Sequence, residues 1–389
     1  MTQDEFLRLW RMSQRTNFNA TTYIFDFLTI ESFTSWRQLS MRILVTGGTG
    51  LLGNNILRQL ASDRPDDSLV ALVRSQPKPH VFAELDVSFA IGDLGDEETF
   101  AGIRQAIADC DVVIHSAALI HIGWQRMEES MRVNRDGTSV IVEACIEYGK
   151  PMVHIGTVDT LALGGRGKPA DETTRLNENG SATLCSYVAS KRAGVDVVKS
   201  AVRRGLQALI VHPGFMLGPW DWKPSSGQMI VEVAKAWRPL APSGGCSLCD
   251  ARDVASGTIA AMDAIAKPRE DRAADSPIRS GREYILAGEN WTYFELWREI
   301  AERTGARKPI MPMGPGQRLI GEIATSVMSK ISAKEGVFNS AALEMSTQFH
   351  WYDSQRARDE LGYRIRSPSI SLDDAVEWIQ NRCAVPSGK

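Results

Sequence analysis

Tyr187 and Lys191, in Tyr187–Val188–Ala189–Ser190–Lys191, stand one helical turn apart and project from one helix face. A phenol that titrates near 10 is a poor acid–base group at neutral pH, and an ammonium beside it lowers it by roughly 1–3 units. The spacing therefore predicts a phenol tuned for proton transfer. A surface helix carrying an unrelated Tyr and Lys fits the same spacing, so the pair needs context. Met41–Gly53, MRILVTGGTGLLG, supplies it. Gly47, Gly50 and Gly53, with Leu52 among them, read as a turn whose backbone amides close on a pyrophosphate. An ordinary glycine-rich turn would look alike, except that this one follows the apolar run Ile43–Val45 and opens the helical pattern Leu51–Leu60. A second β run, Leu69–Val73, follows at the distance a βαβ unit requires.

Those residues need a sheet and helices to hold them. Strand and helix patterns alternate from residue 42 to about 212: Val87–Ile91 strand, Glu97–Ile107 helix, Val112–His115 strand, Glu128–Tyr148 helix, Pro151–Ile155 strand, Thr183–Arg204 helix, Gln207–His212 strand. This is the pattern of an α/β fold, a doubly wound parallel (Rossmann) sheet with ligands at the strand C-termini. Beyond Pro213 the order becomes irregular. Cys249–Ala266 (turn, then helix) and the strand Glu283–Leu286 read as returning to the sheet. Trp291–Thr304, residues 314–330, Gln355–Leu361 and Leu372–Arg382 read as helices, and Lys267–Arg282 as a loop-like insert. The expected division is a dinucleotide-binding domain at 41–212, with 249–266 and 283–287 returning to it, and a mainly substrate-binding lobe at 213–389. Residues 1–40, rich in aromatics such as Trp10, Phe18 and Trp36, are expected outside the fold, as an extension, a misplaced start or a docking segment.

Composition narrows the function classes. Apolar content of 43% and charged content of 23% are ordinary for a globular protein. A net charge of -3 gives no reason to expect a nucleic-acid or membrane-surface partner. No apolar run approaches the ~18 residues of a spanning helix. Six cysteines in 389 residues make no disulfide framework, and Cys246 and Cys249 form a single CxxC without a second pair, read as structural. A cytoplasmic, reduced protein is the resulting expectation.

With TGGTGLLG at 46–53, GDLGD at 92–96, VIHSAA at 113–118, VNRDGT at 133–138, YVASK at 187–191, HPGFMLGPWDWKPSSGQM at 212–229 and DARDVASGTIAAM at 250–262, the chain resembles the extended short-chain dehydrogenase/reductases. Within them it resembles the dihydroflavonol-reductase-like branch of NAD(P)-dependent epimerase/dehydratase proteins, from Met41 to about residue 383. The resemblance implies that Gly47, Gly50 and Gly53 hold the pyrophosphate and that Asp93 and Leu94 contact the adenine. Ala117 and Ala118 let the cofactor approach the chain, and Pro213 and Gly214 begin the segment over the nicotinamide. It implies Tyr187 as the general acid–base, Lys191 as the ribose ligand that tunes it, Thr157 as the hydroxyl that orients the substrate, and Asn134 as the support of the site. A homodimer is likewise only what the resemblance implies.

The second strand ends in Arg74–Ser75, with Lys78 nearby, where an NAD site commonly places an acid for the ribose 2′-OH. A guanidinium suits a 2′-phosphate, so NADP is expected, with NAD as the alternative. His212 stands where many relatives carry Arg, and Leu161–Ala162–Leu163 lacks the amide of a plant-type flavonoid pocket. Asp159 occupies one of two acidic positions used by sugar dehydratases, while Val158 fills the other. Met216, Trp220 and Trp222 are candidate substrate-side residues, and His121 and His154 read as loop and core. The function expected is NADP(H)-dependent oxidoreduction of a carbonyl or secondary alcohol. The alternatives are a nucleotide-sugar epimerase or dehydratase that retains NAD, and, from another class, a non-catalytic dinucleotide sensor or scaffold.

Overall fold

The computed structural model describes residues 40–176, 180–267, 276–314 and 339–383. The expectations for 1–39, for a helix within 315–330 and for the insert at 268–275 fall outside the described residues.

Strand β1 (Arg42–Thr46) alternates its side chains between two cores. Ile43 and Val45 meet α1 (Leu51–Asp63) on one face, and Leu44 meets the other. α1 sends Leu52, Ile56, Leu57 and Leu60 into the first core, as the helical spacing predicts. Burying each such side chain contributes about 1.5–3 kcal/mol. β2 (Ser68–Val73), β3 (Val87–Ile91), α2 (Phe100–Ala108) and β4 (Val112–His115) follow. The single helix expected over 128–148 is α3 (Met127–Met131), a π-helical turn (Arg132–Asp136) and α4 (Gly137–Glu147). Periodicity does not announce such a turn, which puts one extra residue into a helix where a side chain must be re-aimed. Here that side chain is Asn134.

β5 (Met152–Ile155), α5 (Ser186–Arg203) and β6 (Ala208–Pro213) complete the main run. α5 starts at Ser186 rather than Thr183, and Gly205 beyond its end sits at φ +107, as a residue past a helix C-terminus does. β10 (Glu283–Leu286) joins as the seventh strand, giving the all-parallel order β10-β6-β5-β4-β1-β2-β3. The order reverses between β1 and β4, so a ligand crevice opens at their carboxyl ends.

After α6 (Gln228–Lys235) and β8 (Leu240–Ala241), which pairs with β12 (Met311–Pro312), the second lobe is built on β9 (Gly245–Asp250), which corrects the turn expected at Cys249. β7 (Phe215–Leu217) and β13 (Phe349–His350) pair parallel to β9, and β11 (Glu289–Thr292) pairs antiparallel. Along β9, Cys246 and Cys249 point into different apolar clusters, so they cannot jointly hold an ion. α7 (Ala251–Ala266) follows β9 directly and packs on α1. α8 (Tyr293–Thr304) starts two residues later than expected. Thr292 and Glu295 form a capping box, which leaves Trp291 and Thr292 in β11. α9 (Ser340–Thr347), α10 (Gln355–Leu361) and α11 (Pro368–Cys383) close the described chain, the last beginning four residues before the expected Leu372.

Candidate active site

The glycine turn sits at the reversal point. Gly47 has φ +74, and a Cβ there would lie 2.7 Å from Ala117 N, so the chain after β1 touches the chain after β4. A Cβ on Gly53 would lie 2.3 Å from Gly47 O, which makes that position glycine for packing reasons alone. Gly50 precedes the helix in extended conformation, φ -87 and ψ 170. No side chain caps α1, and its first turn holds no acid, so its leading amides are available to an anion. The cradle fits a diphosphate.

A hydrogen-bond chain fixes this cradle to Asn134. Ala117 N donates to Thr46 Oγ1 (3.0 Å), Thr46 Oγ1 lies 2.8 Å from His115 Nδ1, and His115 Nε2 lies 3.0 Å from Thr138 Oγ1, which donates to Asn134 O. With Thr138 donating onward and Thr46 already accepting, His115 carries its proton on Nε2 and accepts at Nδ1. Burial, with the charge of Lys191, lowers His115 to about 3, so this imidazole is neutral. Asn134 Nδ2 donates to Leu119 O and Ser190 Oγ, and its Oδ1 accepts from Leu119 N. Asn134 thus clamps the loop after β4 onto the helix bearing Tyr187, which is the supporting place the resemblance implies. His115, not singled out in the sequence, lies in VIHSAA and is the link between the two.

Thr157 and Tyr187 come together. The Thr157 side chain hydrogen-bonds the Tyr187 phenol, and Thr157 Oγ1 also donates to Asp159 Oδ2 at 3.1 Å. The expected ammonium effect on the phenol is corrected. Burial and then Asp159 push Tyr187 well above its ordinary value, against which the Thr157 hydrogen bond works. Lys191 Nζ instead donates to Ile155 O at 2.5 Å, and burial lowers the lysine to about 8. Desolvation outweighs the one-turn spacing because both groups are withdrawn from water: Tyr187 packs against the cluster of Ala182, Cys185, Val188 and Ala341, and Lys191 is 5% exposed.

His212 fills the place of the family arginine and is fully buried. Its Nδ1 lies 3.2 Å from Thr157 O, and its Nε2 lies 3.0 Å from Glu283 Oε2, while Glu283 Oε1 meets Lys199 Nζ at 2.8 Å. Burial opposes ionisation of Glu283, but His212 and Lys199 outweigh it and hold the carboxyl at about 2. A depressed carboxyl contributes stability that is present above its unfolded value near 4.3 and lost as pH falls toward 2. Glu283→Gln is therefore expected to lower unfolding stability by about 2 kcal/mol at pH 7 and to flatten the loss of stability between about pH 4.5 and 2, as read by denaturant melts.

Other expected residues lie apart from this cluster. Arg74 is exposed at the end of β2. Asp93 Oδ1 accepts from Gly95 N, and Leu94 is buried against Gly137. Ala118 follows Ala117 in the loop clamped by Asn134, Pro213 ends β6, and a Cβ on Gly214 would lie 2.6 Å from Ser247 O. Met216, Trp220 and Trp222, the candidate substrate-side residues, are engaged in packing. Met216 packs on the sheet core, while Trp220 and Trp222 stack with Trp378 and receive Arg58 and Arg382 on their faces, fastening α11 to α1. His154 is a core residue of β5, and among the described residues its ring nitrogens have no hydrogen-bond partner. No described helix is long and apolar enough to cross a membrane, and no described group of acids, His and Cys is arranged for a metal.

The chain is 28% identical over 354 residues to a Synechocystis sp. protein provisionally named a dihydroflavonol 4-reductase, covering 89% of this chain and 96% of that one. It is 28% identical to sterol demethylase protein B of Methylococcus capsulatus, over 88% of this chain and 99% of the other. The crystal structure of gox2253 superposes with a TM-score of 0.72 at 27% identity, covering 88% of this chain and 99% of that chain. Residues 43–273, more than half of the chain, match the family model described as the NAD dependent epimerase/dehydratase family. The chain belongs to that family of extended short-chain dehydrogenase/reductase enzymes.

Proposed function

We propose that the protein is an NADP(H)-dependent reductase of a carbonyl on a small, partly apolar substrate, working reversibly on the alcohol. The observation that carries this reading is the Thr157–Tyr187 pair, held protonated by burial on a helix that Asn134 ties by hydrogen bonds to a glycine cradle that fits a diphosphate. When bound, the nicotinamide supplies the hydride. Gly47, Gly50, Gly53 and Leu52 hold its diphosphate, Asp93 and Leu94 its adenine, and Lys191 its ribose. Ala117, Ala118, Pro213 and Gly214 border the rest. Tyr187 gives its proton to the carbonyl oxygen, and Thr157 orients that oxygen. A phenol kept neutral suits the donor role required for reduction.

The loop after β4 exposes Ile120, Ile122 and Trp124, and Leu184 is exposed just before α5. Gly123 O accepts from Ser186 N, which ties that loop to the start of the Tyr187 helix and gives the mouth an apolar lip. The relatives' names, a dihydroflavonol reductase and a sterol demethylase protein, go with an apolar substrate. Turnover is tested by NADPH oxidation across a panel of aromatic and alicyclic ketones. A protein that binds NADPH firmly and oxidises none of it refutes the reductase reading.

Arg74 at the end of β2 supports the choice of NADP. Arg74→Ala is expected to raise KM for NADPH about fivefold and leave KM for NADH unchanged, since an exposed charge pair is worth up to about 1 kcal/mol. An unchanged ratio rejects the assignment. The second reading, a nucleotide-sugar epimerase or dehydratase with retained NAD, draws on the family's name and on Asp159 beside Thr157. Cofactor that resists dialysis favours it over the reductase.

A further inference from the structure

We infer that Asp159 and His350 are positioning residues that connect Tyr187 to solvent through Thr157, a proton path that spans both lobes. The inference rests on the reductase reading for the direction of proton flow.

His350 ends β13 in the second lobe, yet its Nδ1 lies 2.9 Å from Asp159 Oδ1, beside the loop after β5. The other oxygen of Asp159 accepts from Thr157 Oγ1 at 3.1 Å, and Thr157 hydrogen-bonds Tyr187. Four groups therefore stand in sequence: His350, Asp159, Thr157, Tyr187. His350 is nearly closed off, 6% exposed, with its Nε2 near Met345 O at 3.3 Å. Asp159 keeps 17% of its side chain in solvent, so protons enter there. Asp159 also faces Cys185 on the approach to α5, Cys246 on β9, Tyr293 on α8 and Tyr352 past β13. Burial keeps all four neutral, and His350 is the side chain that meets its Oδ1.

In reduction, the Tyr187 O–H bond breaks and its proton joins the substrate oxygen as the carbonyl carbon takes hydride. Thr157 turns its O–H to the phenolate and gives that proton up. A proton taken from water at Asp159 passes to the Thr157 oxygen. One solvent proton and one hydride convert carbonyl to alcohol.

The test uses the full chain with 3,5-difluorotyrosine in place of tyrosine, whose phenols titrate near neutrality, and Tyr187→Phe assigns the fluorine resonance of position 187. Asp159→Asn is expected to lower the midpoint of that resonance by about one pH unit, and His350→Gln to raise it, because a carboxylate without its neighbour at Oδ1 bears harder on the phenol. In parallel, NADPH oxidation with 9,10-phenanthrenequinone is expected to lose tenfold or more in kcat with KM little changed in both variants, and to change its pH profile. A resonance unmoved in both variants overturns the path, whichever variant folds better. No turnover by the wild type, with the resonance shifting as stated, overturns the reductase reading and leaves the path intact.

Discussion

Tyr187→Phe is expected to reduce NADPH-dependent carbonyl turnover by at least a hundredfold while the dissociation constant for NADPH stays within a factor of two. General acid catalysis by a positioned side chain contributes roughly 10²–10⁴-fold, and phenylalanine removes only the hydroxyl. The ring packs against the cluster of Ala182, Cys185, Val188 and Ala341, contacts that phenylalanine keeps, so the loss is in kcat and not in folding. Fluorescence titration of NADPH and initial rates on one preparation separate the two quantities. Turnover at the wild-type rate refutes the role of Tyr187.

The second large effect falls on the glycine turn. Gly53→Ala places a methyl 2.3 Å from Gly47 O and 2.7 Å from Gly47 C, both backbone atoms that cannot swing aside. The turn must open, and NADPH affinity is expected to fall at least tenfold with a loss of about 2–3 kcal/mol in stability. Gly50→Ala makes the contrasting control. Its Cβ would meet only Gly47 O, at 3.3 Å, in a backbone conformation that alanine adopts freely, so stability is expected to change by less than about 1 kcal/mol. Equal thermal melts for Gly53→Ala and wild type contradict the geometry.

What the sequence made legible is local in the chain. The strand–turn–helix at Met41–Gly53 and the one-turn spacing of Tyr187 and Lys191 are written within a dozen residues, and both stand where expected. The sheet order follows from right-handed βαβ alternation. The rest depends on contacts between distant positions. His212 reaches Thr157 O, Asn134 joins Leu119 to Ser190, and His350 comes to Asp159 from almost two hundred residues away. No spacing rule reports such pairs. Burial was equally hidden: four residues of helix place an ammonium near a phenol, but only the packing of distant segments decides that desolvation dominates both. The tryptophans of 213–227 read as apolar lining because sequence cannot distinguish a pocket wall from the inter-helix stack they form with Trp378.

One crystal structure with NADP+ bound tests the central claim most directly. It is expected to show the diphosphate against Gly47–Gly53, Lys191 Nζ moved from Ile155 O onto the nicotinamide ribose, and the Tyr187 hydroxyl facing the nicotinamide ring with Thr157 beside it. A diphosphate seated elsewhere, or a Tyr187 hydroxyl turned away from the ring, contradicts the account.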